Sequence, residues 1–274
     1  MIRDITIGQY YPVKSYIHSL DPRTKLICTF FFIISLFVSS SVSGYLIATA
    51  LLVLIVKTSK VPFKHIVKGL KPIMIILLIT VGFNLFLTKE GEVLLHFWIL
   101  TITDKGIKTA VLMALRLMYL IMGSSIMTFT TTPNSLTDGI ERVLHPLNKI
   151  KVPVHEIAMM MTIALRFIPI LMEETDKIMK AQTARGADFE NGNIIQRAKS
   201  MIPVLVPLFV SAFRRANDLA MAMEARCYRG GDGRTKMKPL KYRKSDVNAY
   251  MIMTVYFLAM CIIGRMFPLH IWIF

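Results

Sequence analysis

The sequence predicts an all-α protein: a polytopic membrane helical bundle of about five spans, with a cytoplasmic domain of long amphipathic helices. Of the 274 residues, 54% are hydrophobic and the mean hydropathy is +0.54, which is typical of an integral membrane protein. Apolar segments of near-spanning length recur along the chain. The 33 Lys and Arg, against 17 Asp and Glu, lie mostly between or beside those segments, as on a cytoplasmic membrane face.

Five apolar segments are long enough, or nearly so, to cross a bilayer, which takes about 20 helical residues. The first two are short, and only the Ser-rich residues 39–43 separate them, which predicts a tight helical hairpin. Residues 91–103 are rich in β-forming side chains and predict a small β-hairpin. The predicted spans are residues 26–41, 44–56, 70–87, 107–131 and 247–267.

The distribution of Lys and Arg predicts the orientation. Residues 1–25 contain four of them, 57–71 five and 133–246 nineteen, whereas 37–44 contain none and the three in 88–108 are balanced by three carboxylates. By the positive-inside rule the N-terminus and 133–246 are cytoplasmic, and the C-terminal tail lies outside. We therefore expect a plasma-membrane protein with three parts: 1–132 with four spans, 133–246 as the cytoplasmic or interfacial domain, and 247–274 with the last span.

The cytoplasmic domain is predicted to consist of amphipathic helices. Thr132 is a suitable N-cap before Pro133 at a first helical position. A helix over about 153–185 places its charged side chains on one broad face. The apolar core of the next helical region, residues 201–213, contains two prolines and is too short to span, so it is expected to lie at the interface or under the bundle.

The sequence lacks the residues that several classes of function require. The chain contains no phosphate-binding Walker motif and no G-x-S-x-G elbow. His155-Glu156 begins like a zinc-protease motif, but Met159 stands where the second His should be. The basic residues do not form one soluble patch with stacking aromatics, which argues against a nucleic-acid partner. We therefore predict no enzyme and no catalytic, cofactor or metal site.

Charged residues at the spans have two interpretations each. Arg116 in the fourth span either lines a transport path or is paired with a neighbouring helix. Asp21 and Pro22 suit the N-cap and first residue of the first span. Arg23 and Lys25 are then expected to anchor that span at the cytoplasmic interface.

Two short segments in the cytoplasmic domain share an unusual pattern. Each places an Arg between small residues, close to signals that end a helix. One interpretation is a pair of solvated helix-terminal arginines that interact with the helix dipole. The other is a pair of tips that enter grooves on partner proteins, where each guanidinium holds a carboxylate through two hydrogen bonds. The segments are Ala184, Arg185 and Gly186, and Ala225, Arg226 and Cys227.

These segments belong to motifs through which the chain resembles a known family. The motifs are LDPRTKL at residues 20–26, ALRFIP at 164–169, AQTARGADF at 181–189 and AMEARCYRG at 222–230. Over nearly its whole length the chain resembles the transmembrane (T) component of energy-coupling-factor (ECF) transporters, a micronutrient-uptake branch of the ABC transporters. One departure is Cys227, where the family's second motif usually has Gly.

The resemblance implies a function that depends on other chains. Residues 133–246 would be the coupling domain, and the two Ala-Arg tips would dock onto two ABC-type ATPase subunits. A separate substrate-binding membrane protein would pack against the apolar surface of the chain within the lipid bilayer, and the assembly would take up a vitamin or a metal ion. The alternative is a stand-alone channel or secondary carrier; a membrane enzyme ranks third.

Overall fold

The computed structural model describes residues 10–38, 41–87, 93–97, 100–189, 193–231, 233, 235, 237 and 239–266. Within these residues the fold is helical, as predicted. The α-helices are α1 (Pro22–Val38), α2 (Val42–Ser59), α3 (Phe63–Leu70), α4 (Met74–Leu87), α5 (Asp104–Thr130), α6 (Pro133–Leu144), α7 (Val154–Ala184), α8 (Ile194–Ala225) and α9 (Lys244–Met266). Short 3-10 helices lie at Lys71–Ile73 and His145–Ile150.

The helix starts follow the predicted capping residues. α1 begins at Pro22, and the Asp21 carboxylate accepts a hydrogen bond from the backbone N–H of Arg23 at 2.9 Å. α6 begins at Pro133, and the Thr132 hydroxyl accepts from the N–H of Ser135 at 3.3 Å. Side chains that satisfy free N–H groups in a first turn stabilise a helix by roughly 1 kcal/mol. Local sequence therefore sets both starts.

The predicted β-hairpin is also present. Strand β1 (Val93–Phe97) pairs antiparallel with β2 (Leu100–Thr103) between α4 and α5. The last residue of β2, Thr103, also caps α5 by accepting a hydrogen bond from the N–H of Gly106 at 3.1 Å. The hairpin thus leads directly into α5.

Five stretches in the described part of the chain are long and apolar enough to cross a membrane. Four of them coincide with the predicted second to fifth spans, namely Val42–Ser59, Phe63–Phe86, Asp104–Thr130 and Lys244–Ile263. The fifth is α7. Most of its charged side chains lie in its C-terminal half, which leaves an N-terminal stretch that is long and apolar enough to qualify. The predicted first span, α1, has 17 residues, or about 26 Å of helix, slightly short of the hydrocarbon thickness of about 30 Å. Residues 39–40 of the serine turn and the tail at 270–274 lie outside the described residues.

The chain divides into two compact units. The bundle unit comprises Gly8–Ile140 and Leu240–Phe274, and the two-helix unit contains Glu141–Pro239. In the bundle unit, α1 packs against α5 and α9, and α2 packs against the same two helices. Its core consists of side chains from these four helices, namely Phe32, Leu36, Tyr45, Ala48, Leu51, Leu52, Leu112, Met253, Tyr256 and Met260.

Arg116 is buried within the bundle unit and paired with another helix. Its Nε donates to the hydroxyl of Tyr45 at 2.9 Å, and its guanidinium lies 5.5 Å from the ring centroid of Phe37. Tyr45 lies in the first turn of α2 and Phe37 lies in α1, so these two contacts join α5 to both helices. The geometry therefore favours the interpretation of a paired structural charge over a transport-path residue.

Candidate partner-binding site

The first Ala-Arg tip is a Schellman-type helix end. Gly186 has φ +90°, and its N–H donates to the carbonyl of Thr183 at 2.9 Å. The N–H of Ala187 reaches back to the carbonyl of Gln182 at 3.0 Å. These are the two hydrogen bonds that define the motif. Arg185 is the C-cap residue, so its side chain emerges from the last turn of α7.

The second tip has the same geometry although it lacks the glycine. Cys227 has φ +54°, and its N–H donates to the carbonyl of Glu224 at 2.8 Å. The N–H of Tyr228 donates to the carbonyl of Met223 at 3.1 Å. Arg226 is therefore the C-cap of α8, as Arg185 is of α7. The replacement of Gly by Cys leaves the cap intact and places a non-glycine residue in the left-handed region.

Both tips are open to a partner. All six predicted residues are exposed: Ala184, Arg185, Gly186, Ala225, Arg226 and Cys227. Within the part of the chain that the structure describes, neither Arg side chain forms an ion pair. The small neighbours leave each guanidinium unobstructed, next to helix carbonyls that favour a positive charge.

The two tips lie at opposite ends of one antiparallel helix pair. Near the middle of the pair, the Glu174 carboxylate on α7 accepts hydrogen bonds from the hydroxyl of Ser211 and from the guanidinium of Arg215, at 2.7 Å for the latter. Arg185 comes eleven residues after Glu174, and Arg226 comes eleven residues after Arg215. Since the helices run in opposite directions, the tips are separated by on the order of 30 Å at 1.5 Å per residue.

A second contact joins the end of α7 to the interior of α8. Pro207 has no N–H, so the carbonyl of Pro203 lacks its usual partner four residues on. The side-chain amide of Gln182 donates to that carbonyl at 3.3 Å. Gln182 thus satisfies a backbone group that proline leaves free, three residues before Arg185. This contact fixes the register of the first tip against α8.

The second tip packs on the start of α7. Arg226, Cys227 and the residues after them line a cleft together with Met159 and Ile163 of α7. The backbone of Gly231 lies directly against the imidazole of His155, since a Cβ there would come within 2.6 Å of the ring. The Nδ1 atom of this imidazole is 3.0 Å from a carboxylate oxygen of Glu141. His155 thus takes part in a packing contact.

The structure gathers the predicted residues into two sites and adds the residues that join them. Each Ala-Arg segment forms one tip, and the two tips do not meet. Sequence reasoning did not predict the contacts of Glu174, Ser211, Arg215 and Gln182, although Gln182 lies within the AQTARGADF motif. The one signal available for Gln182 was Pro207. Because proline has no N–H, its presence indicates that the carbonyl of Pro203 needs another donor. Glu174 gave no signal, because a charged residue on an amphipathic helix is expected to face water.

Comparison with known proteins identifies the family of the chain. The chain matches the CbiQ family, described as cobalt transport protein, over residues 13–237. It is 58% identical to the energy-coupling factor transporter transmembrane protein EcfT of Clostridium kluyveri, over 90% of this chain and 92% of the relative. It is 53% identical to EcfT of Acidaminococcus fermentans (94% and 96% covered) and 46% identical to EcfT of Bacillus subtilis (93% and 96% covered).

The family match includes both tips and residues of both compact units. The family match covers most of the chain, and the relatives are highly similar over nearly its full length. Together they exclude a different class of protein. The chain therefore belongs to the EcfT/CbiQ family and is a non-catalytic transmembrane component of an energy-coupling-factor transporter.

Proposed function

We propose that this chain couples ATP binding and hydrolysis by two partner ATPases to a separate substrate-binding membrane protein, for uptake of vitamins or metal ions. The observation that carries the proposal is the duplicated helix end, in which α7 and α8 present an exposed Arg from the same cap. Two equivalent tips are suited to two equivalent binding grooves (sockets) on the partner proteins. A separation on the order of 30 Å supports binding to two subunits rather than to one groove.

Each tip suits a carboxylate-lined groove. A guanidinium binds a carboxylate through two parallel hydrogen bonds, which fixes orientation as well as distance. The Schellman cap holds the last turn of each helix in one conformation, so a displacement of the socket is passed to the helix instead of being lost in a loose end. Arg185 and Arg226 are thus the proposed ATPase-coupling residues, with Ala184, Gly186, Ala225 and Cys227 as their small flanks.

The substrate-binding protein is proposed to use the apolar surface of α8. This helix exposes a continuous set of large hydrophobic side chains, beyond what a surface facing water normally carries. The rings of Phe209 and Phe213 pack against each other at 4.9 Å between centroids. The exposed set comprises Ile195, Met201, Ile202, Leu205, Val206, Phe209, Val210 and Phe213.

The experiment that tests the ATPase sockets replaces the two arginines. We expect Arg185→Ala and Arg226→Ala each to weaken assembly with the ATPase pair and the double variant to abolish uptake, with membrane insertion unchanged. Loss of one partner of a desolvated charge pair costs about 2–5 kcal/mol, which lowers affinity tenfold or more. Co-purification of the ATPases and ATP-dependent uptake in vesicles are the measurements.

The matched control is Arg214→Ala, which removes an equally exposed Arg from α8 away from its end. It should assemble and transport like the wild type. Uptake at the wild-type level by the double variant would refute the socket proposal. Transport by the chain reconstituted alone, without nucleotide, would instead support a stand-alone carrier.

A further inference from the structure

In the part of the chain that the structure describes, there are two crossings between the compact units, one within α6 after Ile140 and one after Pro239, before α9. In the bundle unit, both crossings begin next to the same short segment, residues 21–25 at the start of α1, which we call the α1 start segment. Capping of α1 accounts for Asp21 and Pro22 alone. The contacts of Arg23, Lys25 and their neighbours need a different explanation.

The first crossing is held through Lys25 and Pro22. Lys25 is buried, and its Nζ donates to the carbonyl of Thr130, the last residue of α5, at 2.8 Å. A positive charge at the C-terminal end of a helix is favourable. Three residues later α6 begins, and in it a Cβ on Gly139 would lie 3.1 Å from the Cβ of Pro22. The α6 backbone therefore rests directly on the α1 start segment.

The second crossing is held through Asp246, in the first turn of α9. This carboxylate is fully buried and accepts hydrogen bonds from the backbone N–H of Asp21 at 2.8 Å and of Arg243 at 2.7 Å. The guanidinium of Arg23 lies 4.3 Å from the ring centroid of Tyr242 and is paired with Asp21 at 3.1 Å. The chain that returns to the bundle is thus bonded to the α1 start segment at residues 242–246.

We propose that the α1 start segment is the anchor of both crossings, with Lys25 and Asp246 as its positioning residues. Each is a buried charge bonded to backbone groups at a helix end, so its release would leave that charge desolvated and unpartnered. The anchor keeps the ends of α5 and α9 together. When the two-helix unit is displaced, α1, α5 and α9 then move together. This consequence rests on the proposed function, whereas the anchor itself is a property of the chain alone.

The anchor is tested on the full chain in nanodiscs, without ATPases. Spin labels are attached to the exposed native Cys227 and to Leu46→Cys on α2, with Cys28 and Cys261 replaced by Ala. Their distance distribution is then measured by double electron–electron resonance. We expect Lys25→Met and Asp246→Asn to broaden it, since loss of a hydrogen bond to a charged group raises the detached population roughly tenfold. Tyr242→Leu changes an exposed side chain and should broaden the distribution less.

Two matched controls separate anchoring from general loss of charge. Lys57→Met removes an exposed Lys from the last turn of α2, and Asp104→Asn an exposed carboxylate from the first turn of α5. Both should keep the wild-type distribution. Wild-type widths in Lys25→Met, Asp246→Asn and Tyr242→Leu alike would overturn the anchor.

The second measurement is solute taken up per ATP hydrolysed, in complexes assembled with ATPases and a substrate-binding protein. We expect the anchor variants to bind the ATPases and hydrolyse ATP, but to take up less solute per ATP than the wild type, because a larger detached population transmits less motion. A uniform fall in assembly with an unchanged ratio would assign Lys25 and Asp246 a structural role only, and would overturn their positioning role. If the wild type itself shows no ATP-dependent uptake, the proposed function fails, while broadened distances still support the anchor.

Discussion

At the scale of single residues, Cys227 shows what a helix end can tolerate. The residue adopts φ +54° and still completes both cap hydrogen bonds of α8. A non-glycine residue in this conformation costs roughly 1–2 kcal/mol. The cap survives because two hydrogen bonds and the preceding helix determine the backbone. The sequence motif alone left open whether residue 227 was still helical, and the structure answers that it is not.

The variant Cys227→Gly should relieve this strain. Glycine loses more chain entropy on folding, by about 0.5–1 kcal/mol, so the net gain in stability is small and ATP-dependent uptake stays near normal. Cys227→Trp should abolish ATPase docking, since a bulky ring cannot enter the groove. Gly186→Cys, which copies the second tip onto the first, should be tolerated. ATPase co-purification is the measurement, and normal docking of the Trp variant would mean that this tip enters no groove.

His18, in the segment before α1, gives a pH dependence to stability. Burial lowers the pKa of His18 from its ordinary value of 6.5. Its ring nitrogens contact the carbonyl of Tyr11 at 3.0 Å and the hydroxyl of Ser15 at 2.6 Å. The folded chain therefore favours the neutral imidazole. This contribution is complete above pH 6.5 and is lost as the pH falls from 6.5 through the lower folded pKa.

We therefore expect the Tm in detergent to fall between pH 7.5 and 5.5, and the fall to be smaller in His18→Gln. His145→Gln, which changes an exposed histidine, is the control and should keep the wild-type dependence. Equal pH dependence of wild type and His18→Gln would contradict the assignment.

At the scale of helices, the prolines of α8 proved less disruptive than their number suggests. The apolar core was predicted to be interrupted by Pro203 and Pro207, yet α8 is one helix of 32 residues. Proline removes one hydrogen bond and crowds the preceding turn, and here Gln182 of α7 supplies a substitute donor. Sequence periodicity could not reveal this, because the compensating group is on another helix.

A double-mutant cycle tests this compensation. Gln182→Ala should cost about 1 kcal/mol in stability, since it leaves the Pro203 carbonyl without its donor. In a Pro207→Ala background the new N–H reaches that carbonyl, and Gln182→Ala should then cost little. Thermal unfolding of the four proteins gives the coupling energy, with Thr183→Ala at the exposed neighbouring residue as the control. The same cost in both backgrounds would show that Gln182 does not act through Pro203.

At the scale of the whole molecule, the sequence predicted the helical class, four of the candidate spans, the β-hairpin and the end of α7. These features depend on hydrophobic runs and capping residues, which are local. The position of the two tips at opposite ends of the helix pair could not be predicted, because it follows from the register of α7 on α8. Lys25 was expected to anchor α1 at the membrane interface, but it is buried against the end of α5. A basic residue beside an apolar run looks the same in either role.

The orientation of the chain remains a prediction, and cysteine labelling tests it. In a background without native cysteines, Val42→Cys at the start of α2 should react with an impermeant maleimide in intact cells. Lys149→Cys should react only after permeabilisation, because the positive-inside rule places residues 133–246 in the cytoplasm. Both side chains are exposed, so reactivity reports sidedness. Labelling of position 42 from the inside alone would reverse the topology.

The matching ends of α7 and α8 give the two-helix unit a local symmetry. Antiparallel helices of 31 and 32 residues, whose equivalent positions are forty-one apart, are related by an approximate two-fold axis near the Glu174–Arg215 pair. A two-fold symmetric partner therefore meets the same surface at both ends. Once one end is bound, the other binds at a raised effective concentration. Under the proposed function, a dimer of ATPases would therefore bind both arginines in one orientation, whereas a monomer would bind only one.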